Sequence, residues 1–291
     1  MSSVDEVRSG SAAPPPPPHG RRRALVIGLA ALVAVALVVV LVVVVTRAGG
    51  PDPASTTTTT PAAVPAPRLL PRLPTEAAVR QNWPMIADDE FDGTALDTHN
   101  WHPYTGETTD GVGRHDPADI SVADGLMTIT SHGKRSGGMA WASGQKYGRW
   151  EVRARSQAGT GYSPVMLLWP DSEDWPDDGE LDFMEIPHGN RDVSNFTDHY
   201  GADNSQNAAS TPGDFTQWHN FAVEWAPDHV AGFVDGKQIF RTTDPDQIPP
   251  GPMHLAIQQD IGPFENWVPA PDATTPAQVK FQVDWVRIYG M

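Results

Sequence analysis

Three carboxylates lie within six residues of this chain, in Gly179-Glu180-Leu181-Asp182-Phe183-Met184-Glu185. Acids this close raise one another's pKa and titrate as a set, because each resists a second negative charge beside it. A retaining glycosidase needs that state: one carboxylate ionised as nucleophile and another, about 5 to 5.5 Å away, protonated as general acid. A solvated strand face or a calcium site would use the same cluster, and spacing alone leaves all three open. The large apolar Leu181, Phe183 and Met184 point to a central strand with a packed underside and its acids in a cleft. A regular strand would send Glu180 and Asp182 to one face and Glu185 to the other. One extra residue at Phe183-Met184, a β-bulge, returns Glu185 to the Glu180 face, and bulges concentrate beside active sites.

The elements that must carry these acids read as strands. Residues 83–291 are short alternating or apolar runs separated by Gly, Pro, Asp and Asn, without sustained helical periodicity. Leu126 to Thr130, Arg149 to Arg155 and His219 to Trp225 are examples, and Val230 to Arg241 is a hairpin turning at Asp235-Gly236. In the closing run Val279 to Tyr289, Phe281, Val283 and Trp285 are expected on one face, and Lys280, Gln282 and Asp284 on the other. Two stacked antiparallel sheets would bury one set and expose its complement. The expected fold is an all-β antiparallel sandwich in one domain, 83–291.

Composition changes abruptly before that domain, since every Trp, Phe and Tyr lies beyond residue 82. Chain without aromatics buries too little apolar area to offset the entropy of ordering it, so residues 1–82 hold no packed domain. Within them, Ala24 to Val45 carries no charge and is long enough to cross a hydrocarbon core of about 30 Å. Residues 24–46 therefore read as a transmembrane signal-anchor helix. Arg21, Arg22 and Arg23 precede it and Arg47 alone follows closely, which puts the tail 1–23 in the cytoplasm and the rest outside. The alternative is a cleaved signal peptide releasing a secreted domain, but the apolar run is long for one and ends without an A-x-A-like site. The Pro/Ala/Thr-rich residues 47–82 read as an extracytoplasmic stalk, with Thr56 to Thr60 suited either to O-glycosylation or to a plain spacer.

The chain has no cysteine, so an exported domain here must hold together by core packing. Formal net charge is −16, with an acidic excess confined to 83–291. Such a surface repels nucleic acid and polyanionic sugars and leaves a neutral ligand as the natural partner. No His or Asp spacing suggests a catalytic transition metal. A monomer is the expected state.

Glu180-x-Asp182-x-x-Glu185 resembles the bulged signature of glycoside hydrolase family 16, typical of its laminarinase-like members. The likeness extends to Asp88-Asp89-Glu90-Phe91-Asp92-Gly93, to Tyr147-Gly148-Arg149-Trp150-Glu151-Val152-Arg153-Ala154-Arg155, and to Val283-Asp284-Trp285-Val286-Arg287-Ile288-Tyr289, in the family's order. The resemblance implies a jelly-roll sandwich with a sugar-binding cleft and retaining hydrolysis of internal β-glycosidic bonds, a β-1,3- or mixed-linkage glucan being favoured. By the same resemblance Glu180 is the nucleophile, Glu185 the acid/base and Asp182 the carboxylate supporting Glu180, with no cofactor required for catalysis. It also implies a structural Ca²⁺ in some members, at a site that includes the aspartate of the last strand, here Asp284.

A polysaccharide cleft should present indoles to the apolar faces of sugar rings. Trp175, in a Trp-Pro lead-in similar to the family's, is the first candidate, while Trp141, Trp169 and Trp267 are as well suited to core packing. His199, in His-Tyr-Gly, resembles the family's His-x-Gly, whose ring reaches a sugar hydroxyl or a catalytic carboxylate. Two segments depart from the family. Ser163 and Leu167 stand where glucan-cleaving members usually have indoles, and Ala256 to Gly262 replaces an Asn-containing segment. A transglycosylase remodelling surface polysaccharide with the same acids remains an alternative. So does a non-catalytic glycan-binding sandwich, although the intact acids argue against it, because unused buried carboxylates are costly.

Overall fold

The computed structural model describes residues 74–108, 111–265 and 267–291. The expected tail, membrane helix and stalk up to residue 73 lie outside the described residues, among which no helix is long and apolar enough to cross a membrane.

Alternation of apolar and polar residues has built two antiparallel sheets, as expected for a sandwich. The seven-stranded sheet that carries the acids runs in the order Ser205–Pro212, Val193–Tyr200, Glu180–Glu185, Tyr162–Pro170, Met253–Ile261, Gly138–Trp141, Trp101–Pro103. The backing sheet runs Lys237–Thr242, His229–Val234, His219–Ala226, Gly148–Ser156, Val279–Tyr289, Leu126–Ser131, Ile120–Ala123, with Met85–Asp89 also paired to Val279–Tyr289. The arrangement is consistent with a jelly roll. Between the sheets Met166, Leu168, Leu181, Phe183 and Met184 meet Trp150, Val152, Phe221, Val223, Phe281 and Val283 in one buried cluster. Each such side chain contributes about 1.5–3 kcal/mol by leaving water. The expected hairpin turns at Asp235-Gly236, with φ of +50° and +68°.

Two expectations are corrected. Trp285 does not share a face with Phe281 and Val283, because the register on Gly148–Ser156 shifts between Val283 and Trp285. Past that bulge Val286 and Ile288 enter the inter-sheet core, and Trp285 lies outside it, 4.1 Å from the Arg287 guanidinium. Nor does the expected exposed stalk run on to residue 82. Ala77 and Ala78 are buried with Trp83 against Ala222, Ala231, Phe233 and Tyr289, on the outer side of the backing sheet.

Buried charges fasten that segment. Glu151, on the outer face of its strand, accepts hydrogen bonds from the Ala77 N–H (2.5 Å) and the Ala78 N–H (3.1 Å), in the short helix Ala77–Gln81. Arg287 donates to both oxygens of Glu90 and, at 2.9 Å, to Glu76 Oε2. Burial pushes Glu151 up to about 7 despite its two N–H donors.

Candidate active site

The strand Glu180–Glu185 starts from Gly179, whose φ of +78° a side chain rarely adopts, and a Cβ there would stand 3.0 Å from the His199 carbonyl oxygen. Pairing shows how the acids come to one face. On one side Leu167 pairs with Asp182 and Met166 with Met184, skipping Phe183. On the other, Asp182 pairs with Thr197 and Glu185 with Asn195, so three steps oppose two. The bulge therefore falls at Phe183-Met184, as the spacing required. Both bulge residues join the inter-sheet core, and Glu180, Asp182 and Glu185 are left facing away from it.

Each carboxylate has its own partner. Trp175 donates from Nε1 to Glu180 Oε2 at 2.8 Å. His199 Nε2 lies 3.2 Å from Asp182 Oδ2, and its Nδ1 lies 2.7 Å from Asn204 Oδ1. Thr197 donates its hydroxyl to Glu185 Oε2. Asp182 also hydrogen-bonds Glu180. Among the described residues, Glu180, Asp182 and His199 are the group whose ligating atoms come close enough to hold a metal ion, within 4.8 Å of one another. Those atoms already bond to one another and to Trp175, so the cluster is satisfied from within.

Burial is the largest influence on all three acids and raises each of them. Asp182 raises Glu180 further, and Glu185 and Asp260 raise Asp182. Opposing this, His199 and the Trp175 N–H favour ionised Glu180, and the Thr197 hydroxyl favours ionised Glu185. The Glu180–Asp182 hydrogen bond favours ionised Asp182, so the three acids resist ionising together and titrate as one coupled set. A coupled set of this kind can supply one ionised and one protonated carboxyl on the same face.

Of the residues singled out from sequence, Trp175 and His199 join the acids, with ring centroids 6.3 Å apart. Trp175 is 40% exposed, and Trp169 stacks parallel to it at 6.2 Å. Trp169 and Trp267 pack with Tyr104 over Val165, Leu167 and Ala256. Tyr104 and Trp267, from other segments, thus lie over Leu167, one of the two positions where the family's usual indoles are missing. Trp141 is not brought to the acids: it is 7% exposed and sits edge-on to Trp101 at 5.0 Å. Asp284 lies on the backing sheet, its Oδ2 3.0 Å from Arg153 Nε.

Three site residues escaped the sequence reading. Thr197 was within reach, since it precedes His199 by two positions and so shares its face. Asn204 comes from a turn and Tyr104 from irregular chain after Trp101–Pro103, where no periodicity gives a direction.

The profile of Glycosyl hydrolases family 16 matches residues 109–287. A β-glucanase of Rhodothermus marinus is 29% identical over 250 residues, covering 72% of this chain and 85% of that protein. The endo-β-1,3-glucanase of Pyrococcus furiosus superposes with a TM-score of 0.65 at 22% identity, over 72% of this chain and 94% of that one. The catalytic domain of an endo-1,3-β-glucanase (laminarinase) from Thermotoga petrophila gives the same TM-score and identity, over 72% of this chain and 98% of that one. At such identities the solved structures speak for the fold alone.

Proposed function

The chain belongs to glycosyl hydrolase family 16 and is a retaining glycosidase of O-glycosyl bonds, and from that premise we propose that it is an endo-acting β-glucanase working outside the cell from a membrane tether. The substrate class follows the β-glucanase relative and favours a β-1,3- or mixed-linkage glucan. The observation that carries the reading is the bulge at Phe183-Met184, which sets three carboxylates with separate partners on one face of the strand.

In this mechanism Glu180 attacks the anomeric carbon while Glu185 passes its proton to the departing glycosidic oxygen. One C–O bond breaks, and a glycosyl ester with Glu180 forms. Glu185, now ionised, takes a proton from water as that water attacks the same carbon, which frees Glu180 and restores the first configuration. Asp182, held by His199 and hydrogen-bonded to Glu180, supports that residue as the ester forms and breaks. The tether rests on the apolar run from Ala24 to Val45 and the arginines before it.

The test is to incubate the full chain with laminarin, mixed-linkage glucan and other β-glucans, following reducing ends and the first anomer released. Internal cleavage with retained configuration is expected, and an inverted product overturns the mechanism. Transfer of the glycosyl group to added sugar in place of water would assign the transglycosylase alternative. Surface protease should release the domain from intact cells; full protection overturns the orientation.

A further inference from the structure

On the outer side of the backing sheet a cavity of about 320 Å³ is lined by Arg155, Gln157, Ala158, Thr216 and Gln282. Alternation puts it there. Ala154 enters the inter-sheet core, so Arg155 points the other way, like Glu151 four residues earlier. Arg155 pairs with Gln282 and Gln282 with Thr128, which makes one polar row across the outer face. The three acids belong to the other sheet and face away from the same core, so cavity and acids lie on opposite sides of the sandwich.

The row holds one guanidinium in place. Arg155 Nε donates to Gln282 Oε1 at 3.0 Å, and Gln282 Nε2 donates in turn to Thr128 Oγ1 at 3.4 Å. The guanidinium also lies over the Trp218 ring, 4.5 Å from its centre. With Nε spent, Nη1 and Nη2 form a fork that has no hydrogen-bond acceptor among the described residues. Gln157 Oε1 accepts from the Lys280 N–H at 3.1 Å, which leaves Nε2 of the same amide as a further unspent donor. Backbone bonds from Ser156 N to Phe215 O and from Gln157 N to Lys280 O fix the walls at 3.1 and 2.9 Å.

Charge singles out this arginine. Arg153, two residues away on the same face, is neutralised by Asp284 at 3.0 Å and also donates to Asn220. Asp214 spends one oxygen on the Thr216 N–H and hydroxyl. Arg155 pairs with no carboxylate among the described residues, although Asp and Glu outnumber Lys and Arg by 36 to 20 in the chain. An immobilised, unpaired fork beside a spare amide donor suits the two oxygens of a planar carboxylate. A dianionic phosphate would meet stronger repulsion from so acidic a domain. The volume stands at the low end of the roughly 300–1,000 Å³ typical of ligand pockets, room for one sugar ring.

We propose that this cavity binds a uronate ring of an acidic polysaccharide, Arg155 donating from Nη1 and Nη2 to the carboxylate and Gln157 donating to a ring hydroxyl. The backing sheet then holds a polymer different from the neutral chain proposed as substrate. The inference stands on the outer face alone and is independent of the glycanase reading.

The experiment titrates the full chain in detergent, at low salt, with glucuronate, a glucuronate trisaccharide, glucose and glucose 6-phosphate, and measures affinity by calorimetry. Glucuronate and its trisaccharide should bind and glucose should not. Arg155→Lys keeps the charge and loses the fork, so it should weaken glucuronate roughly ten- to hundredfold, the worth of a hydrogen bond to a charged group. Ala158→Phe fills the cavity without altering the Arg155 row and should abolish binding even if the lysine variant folds poorly. Binding of glucose as tight as glucuronate, tighter binding of glucose 6-phosphate, or glucuronate affinity unchanged by either substitution overturns the proposal. So does a monosaccharide that binds while its trisaccharide does not, or no uronate binding at all.

Discussion

Trp175 donates its indole N–H to Glu180 Oε2 at 2.8 Å while 40% of the residue stays exposed beside the carboxylates. One side chain thus presents an open ring surface and an N–H donor to the carboxylate proposed as nucleophile. Trp175→Phe keeps the ring and removes the donor that favours ionised Glu180, so Glu180 should ionise at higher pH. The acidic limb of kcat/KM is expected to move up by about one pH unit, since a hydrogen bond to a charged group contributes about 1.5–3 kcal/mol. An unmoved limb would mean that this contact does not set the nucleophile's ionisation.

Thr197 acts on the other acid with the same sign. Its hydroxyl favours ionised Glu185, so in Thr197→Val the proton should be held to higher pH and the basic limb should shift upward. The acidic limb is the internal control, because Thr197 is not among the groups that shift Glu180. A pH–rate profile of the variant decides it.

Glu180 and Glu185 should fail differently. Glu180→Gln is expected to lower turnover to background on every substrate, since no ester forms. Glu185→Gln should cost about 10² to 10⁴ on natural glycosides and much less on aryl glycosides whose leaving group needs no proton. Equal losses on both substrate types would remove Glu185 from the acid role.

Away from the cleft, Glu151 ties the chain entering the domain to the backing sheet and is pushed up to about 7 by burial. Between about pH 4.5 and 7 the unfolded chain gives up this proton while the folded one keeps it, so folding stability falls as pH rises through that window. Glu151→Gln should flatten this segment of the Tm-against-pH curve. Parallel curves for the two proteins would show that the carboxyl stays ionised when buried.

Much of the cleft was legible in the primary structure because the direction of a side chain along one strand is a local matter with period two. The acids, the packed Leu181 and the need for an extra residue at Phe183-Met184 all follow from spacing within one segment. The same rule gave a wrong face for Trp285, since a bulge depends on how the neighbouring strand pairs, and nothing near Asp284 announces that shift. Trp-Pro before the strand and His-x-Gly after it marked Trp175 and His199 through resemblance, but not what they would bond.

The acids and the strands that carry them were therefore determined by the sequence itself, through alternation and the chemistry of crowded carboxylates. Tertiary structure alone decided that Thr197 holds Glu185, that Tyr104 and Trp267 lie over Leu167 where the family's usual indole is missing, and that Trp141 walls a cavity instead of flanking the acids. It also decided that Ala77 and Ala78 pack against a sheet rather than continue a stalk. These contacts join residues far apart in the chain, and their existence depends on which strands become neighbours, a choice made by the packing of the whole core.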